Sequence, residues 1–491
     1  MSLAIAAALV SIHAAPAKPV SDLTDLDRFI QAKLAEFQVP GAVVAVVEDG
    51  QIKMVKGYGF RDVAKKLPLD ENTRFLMASV SKSFTASAAG AMVDAGKLDW
   101  DRPIFNYLPE FTFPTDYPGR NINMRDLLAH RTGWPAFSGD FFDPLGYNRA
   151  EILYRLRYLQ PTNSLREKAN YSNPGYFVAG EVTAKVANQN WNAVVQKRLL
   201  DPLEMTNSGL LDADLKSPNA IKGYAVMNGK MGEIEVGSQA TMAAAGGLIS
   251  TGKDMANFVQ MLANGGQFKG KTILKSETVN QLFTRTMASP PTIAELPPIS
   301  DTAGFAFTLG FGAFTYGGEK IIEKGGALAG VRTVINLIPN RKAGIVVLCN
   351  LNFTAFPESV RAYWLAKTLN QPWEADQKTI AGINAQMMKI FQTPEWPKNP
   401  APFPGNVSLL PGVYENETYG RMELVAKDGK MFMIGGPAKF TGTVQHWSGG
   451  VFALKWPIAT VMYDDVTFEL DDKNVPIHMT VEGLGVYKRV K

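Results

Sequence analysis

Ser79-Val80-Ser81-Lys82 sets a hydroxyl and an ammonium three residues apart. On a helix, positions i and i+3 share a face, so the lysine can reach the serine oxygen. Serine is a weak nucleophile until a neighbouring base takes its proton, and lysine can do so when burial or a second cation favours its neutral form. A helix start adds orphan N–H groups, which favour negative charge developing on a substrate oxygen. The same pattern recurs at Ser250-Thr251-Gly252-Lys253, also beside a helix start, so the spacing alone is weak. The first copy is followed in order by Tyr171-Ser172-Asn173 and Lys324-Gly325-Gly326, which supply a phenol, an amide and a second ammonium. These pieces have echoes of their own, in Tyr414-Glu415-Asn416 and Lys342-Ala343-Gly344.

Other chemistries fit less well. Residues 265–272, GGQFKGKT, match a phosphate-binding loop letter for letter. That loop needs a buried strand before it and a helix directly after it. Here Met255, Phe258, Val259 and Leu262 predict a preceding helix, capped by Thr251 and Asp254, and the next helix starts only at Ser276. No G-x-S-x-G occurs, and His130 is the sole histidine of the central region, so a Ser-His-Asp arrangement is poorly supported and a structural role for His130 is expected. His13, His130, His446 and His478 are scattered without metal-ligand spacing, so no metal is expected. Cys349 follows Ile345-Val346-Val347-Leu348 and reads as core. His446-Trp447 reads as packing.

The elements that must position these residues follow from periodicity. Residues 22–38 carry apolar positions at helical spacing, closed by Pro40. Residues 42–47 and 52–60 read as a hairpin about Asp49-Gly50, and 79–95 as an Ala-rich helix with Gly96 past its end. Helices and loops fill the region from about 100 to 240. From Gly304, strands are expected at 309–315, 320–324, 332–338 and 344–351, with turns at Gly317-Gly318 and Pro339-Asn340. Strands from both ends then build one sheet, an α+β layout with a helical insertion.

With its motif order, this layout resembles the serine β-lactamase and penicillin-binding-protein superfamily, and within it the class C-like branch of β-lactamase-related hydrolases. Leu127-Leu128-Ala129-His130-Arg131-Thr132-Gly133 and Gly246-Gly247-Leu248-Ile249-Ser250 add to the likeness. The resemblance implies a β-lactamase-like α/β sandwich: an antiparallel sheet flanked by helices, plus a helical subdomain. It implies a serine hydrolase that forms an acyl-enzyme on Ser79 from an ester or amide (peptide) substrate, with no cofactor. The alternatives are a silent penicillin-binding-like receptor for peptide or cell-wall fragments, and a true β-lactamase. Lys82 and Tyr171 would share the proton transfer, either of them serving as base. Asn173 would bond Lys82 and the substrate amide, and Lys324 would keep the site positive. The N–H groups of Ser79 and Ala327 would form the oxyanion hole, with Gly325 and Gly326 letting the acyl group approach closely. One departure stands out. The β-lactamases usually carry a hydroxyl residue where Gly325 stands, which makes a dedicated β-lactamase less expected.

Composition sets the outer bounds. The 491 residues are 46% hydrophobic and 20% charged, ordinary globular usage that excludes disordered and fibrous chains. The net charge of +4 is spread without blocks, so no nucleic-acid face is expected. A single cysteine excludes an internal disulfide. The apolar run 3–14 is shorter than the ~20 residues of a membrane span. It reads as a signal over residues 1–14, cut after Ala14, although no Lys or Arg precedes it. A periplasmic or secreted protein is expected on that reading, and a cytoplasmic one without it. The hydrolase-like domain is expected over 22–370 and a helix with a Pro-rich linker over 371–409. Residues 410–491, alternating and rich in turns, are expected to form a small all-β barrel-like domain. The linker is expected to make few demands on the catalytic sheet, and the appended domain to wall the cleft, aid oligomer contacts, or act only as a solubility or stability module. Self-association into a homo-oligomer stays open.

Overall fold

β-branched residues favour a pleated surface, and a strand covered on both faces loses the polar alternation of a half-buried one. A computed structural model describes residues 23–210, 212–289, 304–390, 395–458 and 463–490; the expected export signal lies outside them. In it β1 (Gly41–Glu48) is such a strand, buried along nearly its whole length. The asparagine-free hairpin to β2 (Gln51–Asp62) turns on Asp49 and Gly50, both left-handed at φ 49° and 71°. Later come β3 (Gly312–Tyr316), β4 (Glu319–Leu328), β5 (Val331–Ile338) and β6 (Ala343–Cys349). All four expected strands are present, β4 running four residues further than the sequence suggests. The sheet order is β3-β4-β5-β6-β1-β2, extended by Met287–Ala288 and Ala306–Phe307 beyond β3 and by Leu67–Pro68 beyond β2. The two chain ends meet in its middle, where β1 pairs with β6 from Ala42↔Cys349 to Val47↔Gly344.

Six helices matter to the site: α1 (Leu23–Glu36), α2 (Ser81–Asp94), α3 (Asn173–Ala187), α4 (Gly252–Ala263), α5 (Phe356–Leu369) and α6 (Glu374–Ile390). Val43, Ala45 and Val47 share a core with Phe258 and Val259 of α4. The alternate residues Ala42, Val44 and Val46 share the opposite core with Leu26 of α1 and Trp364 of α5. Cys349 belongs to that second core, and burial pushes its thiol up to about 12. Two buried ion pairs tie the sheet to α5: Glu323 with Arg361, and Arg332 with Glu358. Asn336 Nδ2 donates to Glu323 at 3.1 Å. Among the described residues no helix is long and apolar enough to cross a membrane.

Residues 412–489 close an eight-stranded antiparallel barrel in sequence order, its first and last strands pairing at Tyr414↔Arg489. Closure leaves no strand edge exposed. Its segment of approach is not a free spacer. Ala401 N–H donates to Ser448 Oγ at 3.0 Å, and Gly449 N–H to Ala401 O at 2.7 Å, so that segment lies along the barrel.

The barrel packs directly on the catalytic domain. Ala438 N–H donates to Leu145 O at 3.0 Å, and Tyr147 Oη donates to Tyr419 O at 2.8 Å. Leu145, Tyr147, Tyr419 and Met422 belong to one continuous core. The seam needs Gly436, which is left-handed at φ 66°, because a Cβ there would stand 2.2 Å from Leu145 O.

Candidate active site

Ser79 lies in a short 3₁₀ turn, Ala78–Val80, that runs directly into α2. Ala78, just before it, is held left-handed at φ 49°, a conformation costly for a residue with a Cβ and found where function over-determines the backbone. Lys82 is fully buried; its Nζ donates to Ser79 Oγ at 3.1 Å and to Ala245 O at 2.7 Å. The glycine-rich stretch after Ala245 is pinned to the same turn, since Leu248 N–H donates to Ser81 Oγ at 2.9 Å. The second S-x-x-K copy behaves otherwise. Ser250 Oγ shares a hydrogen bond with Ser208 Oγ at 2.8 Å, while Lys253 reaches out to Glu71 at 3.5 Å.

The phenol of Tyr171 completes the group. Lys82 Nζ and Lys324 Nζ each lie 5.0 Å from the centre of its ring. An aromatic face attracts cations, so both ammonium groups are drawn toward this ring. His130 holds this tyrosine in place. Its ring stacks on Tyr171 at 4.3 Å, its Nδ1 accepts the Ser172 N–H at 2.9 Å, and its carbonyl accepts the Asn170 N–H at 2.8 Å. Burial first, then Lys324 and Lys82, hold His130 well below the ordinary histidine range. It is therefore a neutral positioning group, as the lone-histidine reading anticipates.

β4 delivers the remaining residues. Lys324 is 1% exposed, and Gly326 leaves so little room that a Cβ would stand 3.1 Å from Ser79 N and 2.5 Å from Met77 O. Thr333 on β5, paired with Gly326, donates its hydroxyl to Met77 O at 2.9 Å and ties the strand to the serine turn. β3 pairs with β4 only as far as Gly312↔Glu323. Two-residue hairpins close on hydrogen-bonded pairs, here Tyr316↔Glu319 and Leu328↔Val331. By the two-residue alternation of an antiparallel ladder, Lys324, Gly326 and Leu328 bond toward β5, while Gly325 and Ala327 point their N–H groups the other way. Among the described residues no strand pairs with β4 there, so the Ala327 N–H lies on an open edge.

Asn173 opens α3, and its amide nitrogen donates to Asp140 Oδ1 at 2.9 Å. Burial lifts the Asp140 carboxyl to about 6, opposed by the Asn173 bond and the nearby Lys82 charge. Gly139, the residue before, gives its N–H to Tyr419 Oη of the barrel at 2.8 Å and packs against Pro174, which a Cβ would approach to 2.7 Å. Asp140 and Tyr419 are the residues sequence reasoning missed. Neither has a motif; each reaches the site only through contacts far apart in sequence.

Ser79, Lys82, Tyr171 and Lys324 thus converge, with Asn173, Gly325, Gly326 and Ala327 around them. The arrangement can activate a hydroxyl, stabilise an oxyanion and supply a proton from two directions. The 265–272 decoy folds as a hairpin, Gln267–Phe268 pairing with Lys271–Thr272 after α4, and offers no phosphate cradle.

A model of the beta-lactamase family matches residues 26–370. The chain is 26% identical over 488 residues to the unguisins hydrolase ungD of Aspergillus violaceofuscus (strain CBS 115571), covering 88% of this chain and 84% of that protein. It is 25% identical over 341 residues to protein flp of Staphylococcus aureus (strain NCTC 8325 / PS 47), covering 68% of this chain and 64% of that one. In fold it is similar to the octameric penicillin-binding protein homologue from Pyrococcus abyssi, with a TM-score of 0.63 and 21% identity over 95% of this chain and 100% of that chain. A class C beta-lactamase aligns at TM-score 0.58 and 22% identity, over 71% of this chain and 95% of its own.

Proposed function

The chain belongs to the beta-lactamase family, and from that premise we propose that it is a serine hydrolase cleaving esters or amides through an acyl-enzyme on Ser79. The observation that carries this reading is the buried Lys82 Nζ 3.1 Å from Ser79 Oγ, with Lys82 and Lys324 each 5.0 Å from the centre of the Tyr171 ring. Ser79 Oγ gives its proton to a deprotonated partner, the neutral amine of Lys82 or the phenolate of Tyr171, and bonds to the substrate carbonyl carbon. The N–H groups of Ser79 and Ala327 hold the oxyanion. Collapse of the intermediate breaks the bond to the leaving oxygen or nitrogen, which takes a proton from Tyr171. Water then repeats the sequence on the acyl-enzyme, releasing the acid and regenerating Ser79. Gly325 supplies no hydroxyl to a substrate carboxylate, which favours esters and peptides over β-lactams. Export, on the strength of the apolar run 3–14, and self-association are parts of the same proposal.

A fluorophosphonate label read by intact mass tests the reading, together with p-nitrophenyl esters, D-aminoacyl anilides and a chromogenic β-lactam. One added phosphonyl group mapped to Ser79 is expected. A protein that binds cell-wall peptide yet stays unlabelled would be a silent receptor instead.

Asp140 supplies a second test. Below its pKa of about 6 the carboxyl carries a proton, and above it the carboxylate grips Asn173 more firmly. On this reading kcat/KM rises through a step near pH 6 on the acid side, and Asp140→Asn removes that step. A step that persists unchanged in the variant assigns it to another group.

A further inference from the structure

The groups of the site are strung along β4 in a fixed order. Lys324, early in the strand, lies over Tyr171; Ala327 follows with its outward N–H, and then Leu328 and Ala329 at the turn. A leaving group must sit beside the group that protonates it, here Tyr171. The acyl group is therefore directed the opposite way, past Ala327 toward Leu328 and Ala329. A cleft of about 860 Å³ begins at those two residues. That volume falls within the roughly 300–1,000 Å³ of sites that enclose small organic ligands.

Its walls come from both domains. Phe141 belongs to the catalytic side, and Phe440 and Ile458 to the barrel. The two phenylalanines share a support, since Phe440 stacks on Trp456 at 5.0 Å and Phe141 packs on the same indole at 5.6 Å. Trp456 is 1% exposed, and its Nε1 donates to Asp464 at 2.9 Å, so this wall is held in place. The charged lining residues are all acidic, Asp140, Asp143, Glu233 and Glu235, with Glu233 paired to Lys222 at 3.1 Å; among the described lining residues none is itself Lys, Arg or His.

We propose that this cleft is the acyl subsite, that it takes an extended apolar acyl group free of negative charge, and that Phe440 and Ile458 of the barrel select it. The proposal rests on the serine-hydrolase reading above and adds a substrate class to it. Apolar walls reward each buried methylene, whereas an acyl chain ending in carboxylate would add a further negative charge beside four acidic residues. The barrel is then a specificity element.

The test compares three p-nitrophenyl esters: the acetate, the octanoate, and the monoester of an eight-carbon dicarboxylic acid. The native chain is expected to prefer the octanoate in kcat/KM and to discriminate against the dicarboxylic monoester. Phe440→Ala should lower the octanoate-to-acetate ratio roughly 10-fold, chiefly through KM. Ile458→Lys should raise the ratio of monoester to octanoate. If acetate is turned over but chain length makes no difference, or if Phe440→Ala depresses both esters equally, the subsite is wrong and the hydrolase reading stands. If no ester is cleaved and Ser79 takes no fluorophosphonate, the hydrolase reading has failed and this proposal with it.

Discussion

Ser79→Ala is expected to abolish turnover and covalent labelling, with kcat falling on the order of 10⁴-fold or more. The fold should survive, because the hydroxyl is half-buried beside Lys82 and its loss opens no cavity of consequence. Lys82→Met should be nearly as damaging, since it removes the ammonium that approaches the hydroxyl. Ser250→Ala is the control. Its hydroxyl bonds Ser208, and Lys253 turns away from it toward Glu71, so activity should remain. Parallel fluorophosphonate labelling of the three variants decides the matter: a labelled Ser79→Ala chain, or an inert Ser250→Ala chain, reverses the choice of motif.

Arg361→Ala is expected to cost about 3–5 kcal/mol of stability, the largest effect of any substitution away from the serine. Arg361 and Glu323 are both 1% exposed, and the variant would leave a carboxylate in the core that still accepts from Asn336 but has lost its paired cation. Replacing both partners, Glu323→Leu with Arg361→Met, should recover much of the loss, because a well-packed apolar pair carries no desolvation penalty. Denaturant midpoints of the three chains measure this. A single variant within ~0.5 kcal/mol of the native chain would mean that water reaches the pair. Glu323 immediately precedes Lys324, so the single variant should also disturb the site, and the double variant should restore labelling along with stability.

What could be read from the sequence divides along physical lines. Local periodicity located β1, the helix after Ser79 and the strands around Lys324, because each is patterned over neighbouring residues. That one sheet is assembled from both ends of the domain followed from the two groups of strands; their order did not. Motif order separated Ser79 from Ser250, although the letters alone could not. Asp140, Tyr419 and the placement of the barrel stayed hidden, since each depends on surfaces that meet only after folding. The linker prolines suggested a spacer, but extended chain is equally suited to lying on a barrel wall, and here it does. Ala78 was unreadable for another reason: nothing in an alanine announces a positive φ, which the Ser79 turn imposes.

The Tyr419–Gly139 hydrogen bond also orders events in time. Chains emerge from the ribosome N-terminus first, at about 5–20 residues per second. Ser79, Lys82 and Asn173 are thus made early, but β1 lacks its β6 partner until Cys349 has emerged, and Gly139 lacks its hydroxyl partner until Tyr419 follows. The interval between Gly139 and Tyr419 is on the order of tens of seconds at that rate. The barrel, synthesised after the catalytic domain, closes the loop that carries Asp140. A half-made chain therefore holds Ser79 and Lys82 without the finished surroundings of the candidate site, which wait for a hydroxyl made 280 residues after Gly139.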